Sequence, residues 1–122
     1  MSDNIINLIT LLNRYTLNET ITWKREEAPN NIKAGTDSYI PLFFSTVLNG
    51  DKFGIYEDRH KYYTDIDEYY WDRQVVLCIL DDYDGSSIWS WNENLSVLYD
   101  LFDNVKYKSS GIDIILNRLN KS

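Results

Sequence analysis

The sequence predicts an α+β domain, with an N-terminal helix, an antiparallel meander of about five strands and two C-terminal helices in one domain over 1–122. Three observations predict it. Apolar residues recur at helical spacing only towards the two ends of the chain. The middle is built of alternating or continuous β-forming runs. Asn49-Gly50 and Asp84-Gly85 punctuate those runs, and such dipeptides supply the positive φ angles that tight hairpin turns need.

Ile5, Leu8, Ile9 and Leu12 fall at i, i+3, i+4 and i+7, so they share one helical face. Ser2 or Asp3 is the expected cap, and the helix is expected to end near Tyr15. Thr20–Glu26 alternates, with Ile21 and Trp23 on one side, and reads as a strand. Ala28–Asp37 holds Pro29 and Gly35 and reads as a loop. Ser38–Leu48 and Lys52–Tyr56 flank Asn49-Gly50. A two-residue turn pairs Phe44 with Ile55 and Thr46 with Phe53 on one face, and turns Phe43 and Val47 to the other.

Glu57–Arg73 has no clean period. It reads as a long charged and aromatic excursion that extends the strands at each end. Val75–Leu80 is continuously apolar, as in a strand buried on both faces. A two-residue turn at Asp84-Gly85 sets Leu80 opposite Trp89 and Cys78 opposite Trp91. Leu95, Leu98, Tyr99 and Phe102 begin the C-terminal helices, with Asn92 or Asn94 as cap. Beyond Ser109-Ser110-Gly111, Ile112, Ile115, Leu116 and Leu119 repeat the spacing. These helical faces are expected to cover one side of the sheet, with each large buried side chain contributing roughly 1.5–3 kcal/mol.

Composition narrows the function. Twelve Lys and Arg against nineteen Asp and Glu give a net charge of −7, the wrong sign for a nucleic-acid backbone. The single Cys78 excludes an internal disulfide framework. No basic start with a small-residue cleavage site is present, and no apolar run reaches membrane-spanning length. The expectation is a cytoplasmic protein with no membrane partner.

The catalytic inventory is thin. His60 is the only histidine and sits between Arg59 and Lys61 in the excursion, a setting for a solvated side chain with Asp58 as its nearest orienting acid. Cys78 lies in an apolar strand rather than an electropositive, exposed setting. Asp81-Asp82-Tyr83-Asp84-Gly85 partly resembles a calcium loop, but Leu80 and Trp91 fall where its first and last carboxylates belong. No phosphate-binding glycine loop, zinc-protease helix motif or paired cysteine ligands occur. The expectation is therefore no catalytic residue, no metal site and no cofactor.

The informative feature is charge combined with rings. Residues 51–84 hold ten acids and four bases, and so carry nearly all of the net charge. Within them lie Tyr62, Tyr63, Asp65, Asp67, Glu68, Tyr69, Tyr70 and Trp71. Tyr and Trp give large contact area at low entropic cost, and an acidic rim speeds encounter with a basic partner. These eight residues are the candidate partner-binding surface.

Thr16 through Ile21-Thr22-Trp23, the Asp84-Gly85 turn, Leu98-Tyr99-Asp100-Leu101 and Gly111–Leu116 together resemble a diffuse group of short uncharacterised bacterial and phage-encoded proteins. Its members run N-terminal helix, Trp-bearing strand, β-meander and C-terminal Leu-Tyr helix. The resemblance spans most of the chain but rests on core and turn positions, so it implies a fold and no site. The tyrosine-rich excursion is not part of the shared pattern.

The expected function is a non-catalytic immunity, antitoxin or anti-defence type inhibitor that docks acids and rings on a basic protein. One alternative is a small-ligand binder of nucleotide type, with Arg14, Lys24, Arg25, Arg59 and Arg73 available for phosphate. Another is a homo-oligomeric structural module, a homodimer for example, that uses the Trp89 and Trp91 face.

Overall fold

The computed structural model describes residues 2–29, 39–81, 87–91 and 96–121. In chain order these form α1 (Ser2–Leu17), β1 (Lys24–Arg25), β2 (Tyr39–Leu48), β3 (Asp51–Tyr63), β4 (Tyr69–Leu80), β5 (Ser87–Trp91), α2 (Ser96–Ser109) and α3 (Ile112–Asn120). The five strands make one antiparallel sheet in sequential order. The expected α+β layout is present. The Ala28–Asp37 loop from residue 30 on, the Asp84-Gly85 turn, Asp82, and the Asn92 and Asn94 caps lie outside the described residues. So do the side chains of Ser2 and Asp3.

The first hairpin follows the sequence closely. Phe44 pairs with Ile55 and Thr46 with Phe53. Asn49 and Gly50 both adopt positive φ, 53° and 87°, as a two-residue turn between right-twisted strands requires.

Four segments depart from expectation. α1 runs two residues past Tyr15 to Leu17. The strand expected over Thr20–Glu26 contracts to Lys24–Arg25, because the Trp23 indole is drawn back to the helix. Its Nε1 donates to Thr16 Oγ1 at 2.8 Å, and that hydroxyl donates to the Leu12 carbonyl at 2.7 Å. β5 is displaced by one residue. Trp89 lies opposite Ile79 and Trp91 opposite Leu77, with the register shifting between Ile79 and Leu80. A one-residue slip exchanges the two faces of a strand. The tryptophans therefore share the face of Ile79 and Leu77 instead of that of Leu80 and Cys78, and they stack at 6.1 Å. Finally, α3 buries no residue, so it does not help to cover the sheet.

The core has two layers. On the helix side, Ile9 and Leu12 of α1 and Leu98, Leu101, Phe102 and Val105 of α2 pack on Phe44, Phe53, Ile55, Val75 and Leu77, with Trp91 at the margin. The buried stripe of α2 comprises Leu98, Leu101, Phe102 and Val105, with Tyr99 partly buried against it, while Leu95 lies outside the described residues. A hydrogen bond from Asn104 to Asn13 at 2.7 Å ties the two helices together. On the far side of the sheet, Ala28, Phe43, Tyr56, Val76, Cys78 and Leu80 form a second cluster. There the Phe43 and Tyr56 rings stack at 5.6 Å.

Cys78 belongs to this second cluster and is fully buried. Burial pushes its thiol up to about 12, against a weak opposing hydrogen bond to the Gly54 carbonyl. Burial also raises the Tyr56 phenol, helped by neighbouring Cys78 and Asp58. Both groups are favoured neutral in the folded chain. Their contribution to stability is complete below the ordinary thiol range and is lost as pH climbs through the raised values. The native protein should therefore resist alkylation at Cys78 at pH about 8, where a free thiol is substantially ionised. Denaturant should expose it to full labelling. Rapid labelling of the native chain, read by mass spectrometry, would contradict this burial.

Candidate functional site: a projecting hairpin arm

Glu57–Arg73 is a two-stranded arm closed by a tight loop. β3 and β4 stay paired from Lys52 opposite Leu80 out to Tyr63 opposite Tyr69. Among the described residues, β2 accompanies β3 as far as Arg59, and β5 accompanies β4 over Leu77–Leu80. Beyond those points neither edge of the ribbon pairs with another strand among the described residues. The loop at 64–68 is held by the Thr64 and Asp65 amides, which donate to the Glu68 carbonyl at 3.0 and 3.3 Å.

The period-two alternation hidden in the sequence becomes plain in this pairing. One face, continuous with the helix-side core, carries Glu57, Arg59, Lys61 and Tyr63 opposite Val75, Arg73, Trp71 and Tyr69. The other carries Asp58, His60 and Tyr62 opposite Gln74, Asp72 and Tyr70. Each face mixes charge with rings, so no hydropathic alternation marks the strands. The arm is thus cationic and aromatic on one side, and acidic and aromatic on the other.

The eight candidate residues divide between these faces and the tip. Tyr62 and Tyr70 lie on the acidic face, with ring centroids 5.2 Å apart. His60 reaches Asp72 at 3.6 Å, so the histidine placed in a solvated loop stands on a strand beside an acid other than Asp58. Asp58 Oδ1 is buried with no hydrogen-bond partner among the described residues. Asp65, Asp67 and Glu68 are exposed at the tip and surround Ile66, which is 91% exposed. Tyr63, Tyr69 and Trp71 fall on the cationic face, where Lys61 Nζ lies 4.5 Å from the Tyr69 ring centroid and 5.5 Å from that of Trp71.

At the base of the cationic face sits Glu57, whose side chain is 2% exposed. Arg59 grips one carboxylate oxygen through Nε and a terminal nitrogen, both at 3.0 Å. Arg73 takes the other at 3.1 Å. Burying that carboxylate requires such donors. Tyr39, Arg59, Trp71 and Arg73 line an open cleft of about 430 Å³ above it. Of the five basic residues considered for phosphate, only Arg59 and Arg73 come together here. Arg14 lies on α1, and Lys24 and Arg25 lie on β1. Sequence reasoning missed Ile66 and Tyr39. A lone large aliphatic amid acids was the available signal for the first. Nothing local signals the second, which depends on strand pairing.

Among the described residues, no group of three or more His, Cys, Asp or Glu is placed to hold a metal ion. No helix among them is long and apolar enough to cross a membrane. No family model matches the chain, and no curated protein or solved structure is similar to it at a significant level.

Proposed function

We propose that this chain is a non-catalytic interaction protein of the immunity, antitoxin or anti-defence inhibitor kind, and that its arm docks on a basic surface of a protein partner. The observation that carries the reading is a ribbon extended past both core layers with half-exposed rings. Its open end bears Asp65, Asp67 and Glu68 around an exposed isoleucine. A solitary two-stranded ribbon is marginal in water, and unpaired edges invite association, so its rings and edges are suited to completion by another molecule. Tyr62 and Tyr70 with Asp58 and Asp72 supply anchors and charge on one continuous face. The acids favour encounter with a cationic partner. The proposed contact set is thus the acidic face and the tip. The net acidity of the chain suits an inhibitor that covers a basic cleft.

Affinity capture from host lysate tests the reading. Three variants are compared with wild type: Asp65, Asp67 and Glu68 all changed to Lys; Tyr62→Ala with Tyr70→Ala; and the arm cut by replacing 60–72 with Asn-Gly. No residue of the arm belongs to either buried hydrophobic cluster, and its buried Glu57 is kept in the cut form. The cut form should therefore melt close to wild type. A partner held by wild type should bind the charge-reversed and ring-deleted forms at least about tenfold more weakly, and the loss should deepen with salt. Undiminished binding by all three variants would sink the docking surface.

A further inference from the structure

We infer that the cleft formed by Tyr39, Arg59, Trp71 and Arg73 is a binding site for a small nucleotide-type anion, with its phosphate on the two guanidiniums and its base against an aromatic wall. This site lies on the arm face opposite the proposed docking surface, so the two proposals can fail separately.

Three features of the cleft carry the inference. The first is donor supply. A guanidinium has five N–H donors in a fixed fork. Glu57 occupies Nε and one terminal nitrogen of Arg59 and one terminal nitrogen of Arg73, which leaves further donors on each. Both side chains are open to solvent, at 43% and 58% exposure. The two arginines outnumber the one buried acid, so an arriving anion meets a net positive charge.

The second feature is preorganisation. Long cationic side chains normally lose rotamer freedom when they bind, and that loss weakens affinity. Here the shared carboxylate already holds both arginines, and Glu57 is itself fixed by burial. A pair of anchored forks is the arrangement that recognises phosphate in two-point fashion.

The third feature is the pair of rings that line the same cleft. Trp71 is 54% exposed and Tyr39 about as much, so each can present a flat face to a base. Base–aromatic stacking tolerates any base. A volume of about 430 Å³ lies in the range of roughly 300–1,000 Å³ typical of small-molecule sites. Lys61, which stands over Trp71 and Tyr69, extends the positive field towards the tip.

Isothermal titration calorimetry at low salt, with adenosine monophosphate, adenosine and inorganic phosphate as probes, tests the site. Adenosine monophosphate should bind at least about tenfold more tightly than either fragment, since it alone uses both halves of the cleft. Arg73→Gln should weaken it about tenfold or more. Trp71→Ala should weaken it by a similar factor while leaving the response to phosphate unchanged. Tyr39→Ala, on β2 and outside the Glu57 clamp, provides a second ring deletion should the first disturb the arm. Circular dichroism confirms the fold of each variant. Absence of adenosine monophosphate binding at millimolar concentration would overturn the inference. So would equal affinity for phosphate alone, or affinity unaffected by both ring deletions.

Discussion

Gly54→Val is expected to be among the most damaging single substitutions in the chain. A Cβ at this position would meet Cys78 Sγ and Phe43 Cζ at 2.9 Å and Leu80 Cδ1 at 3.2 Å. All three belong to the buried cluster on the far side of the sheet, with the stacked Phe43 and Tyr56 rings at its centre. Glycine inside a strand normally weakens it, by roughly 0.5–1 kcal/mol relative to alanine. Its presence in β3 marks a place where the side chain of another residue has no room. Overpacking a dense core costs about 1–3 kcal/mol, and valine adds more bulk than alanine. We expect about 3 kcal/mol for Gly54→Val and about 1–2 kcal/mol for Gly54→Ala. Both are read as a lower urea midpoint at unchanged slope. Pairing Gly54→Ala with Cys78→Ala should destabilise less than the two single effects added, because the smaller side chain removes one of the clashes. Wild-type stability in Gly54→Val would show that the far layer is loosely packed.

The second large effect concerns the Glu57 clamp, and it is asymmetric. Arg59→Gln with Arg73→Gln leaves a carboxylate that is 2% exposed with neither of its cationic partners. Stripping the partners from a fully buried pair costs about 3–5 kcal/mol. Because both arginines are half in solvent, we expect about 3 kcal/mol, the lower end of that range. Glu57→Gln removes the buried charge instead, and the two arginines hydrate freely. That change should cost only about 1 kcal/mol, the worth of a charge-assisted hydrogen bond network traded for neutral bonds. Equilibrium denaturation of the two variants decides the matter. A Glu57→Gln variant as unstable as the double arginine variant would mean that the carboxylate stabilises the arm by more than its own neutralisation. The clamp also bears on function, since it positions the two guanidiniums of the proposed anion cleft.

Legibility in the sequence followed the local strength of each signal. Asn49-Gly50 set the register of β2 against β3, because a two-residue turn leaves no freedom in which residues pair. The apolar stripe of α1 was readable because four side chains at helical spacing have one way to be buried together. The β5 register was not readable. It depends on an irregularity between Ile79 and Leu80, and one inserted residue moves both tryptophans to the opposite face. The exposure of α3 was equally hidden. Its apolar spacing matches that of a buried helix, and whether such a face is covered depends on what else occupies the sheet.

The arm makes the same division for function. Composition alone marked Glu57–Arg73 as an acidic stretch dense in rings, since charge and aromatic content are additive along a chain. It could not sort those residues into two faces of opposite sign. Strand pairing did that, placing Arg59 opposite Arg73 and His60 opposite Asp72. Local order and net charge are properties of neighbours in sequence, and the residues themselves determined them. Which charges meet, and which remain open to a partner, depends on contacts between distant segments, and only the folded sheet decided it.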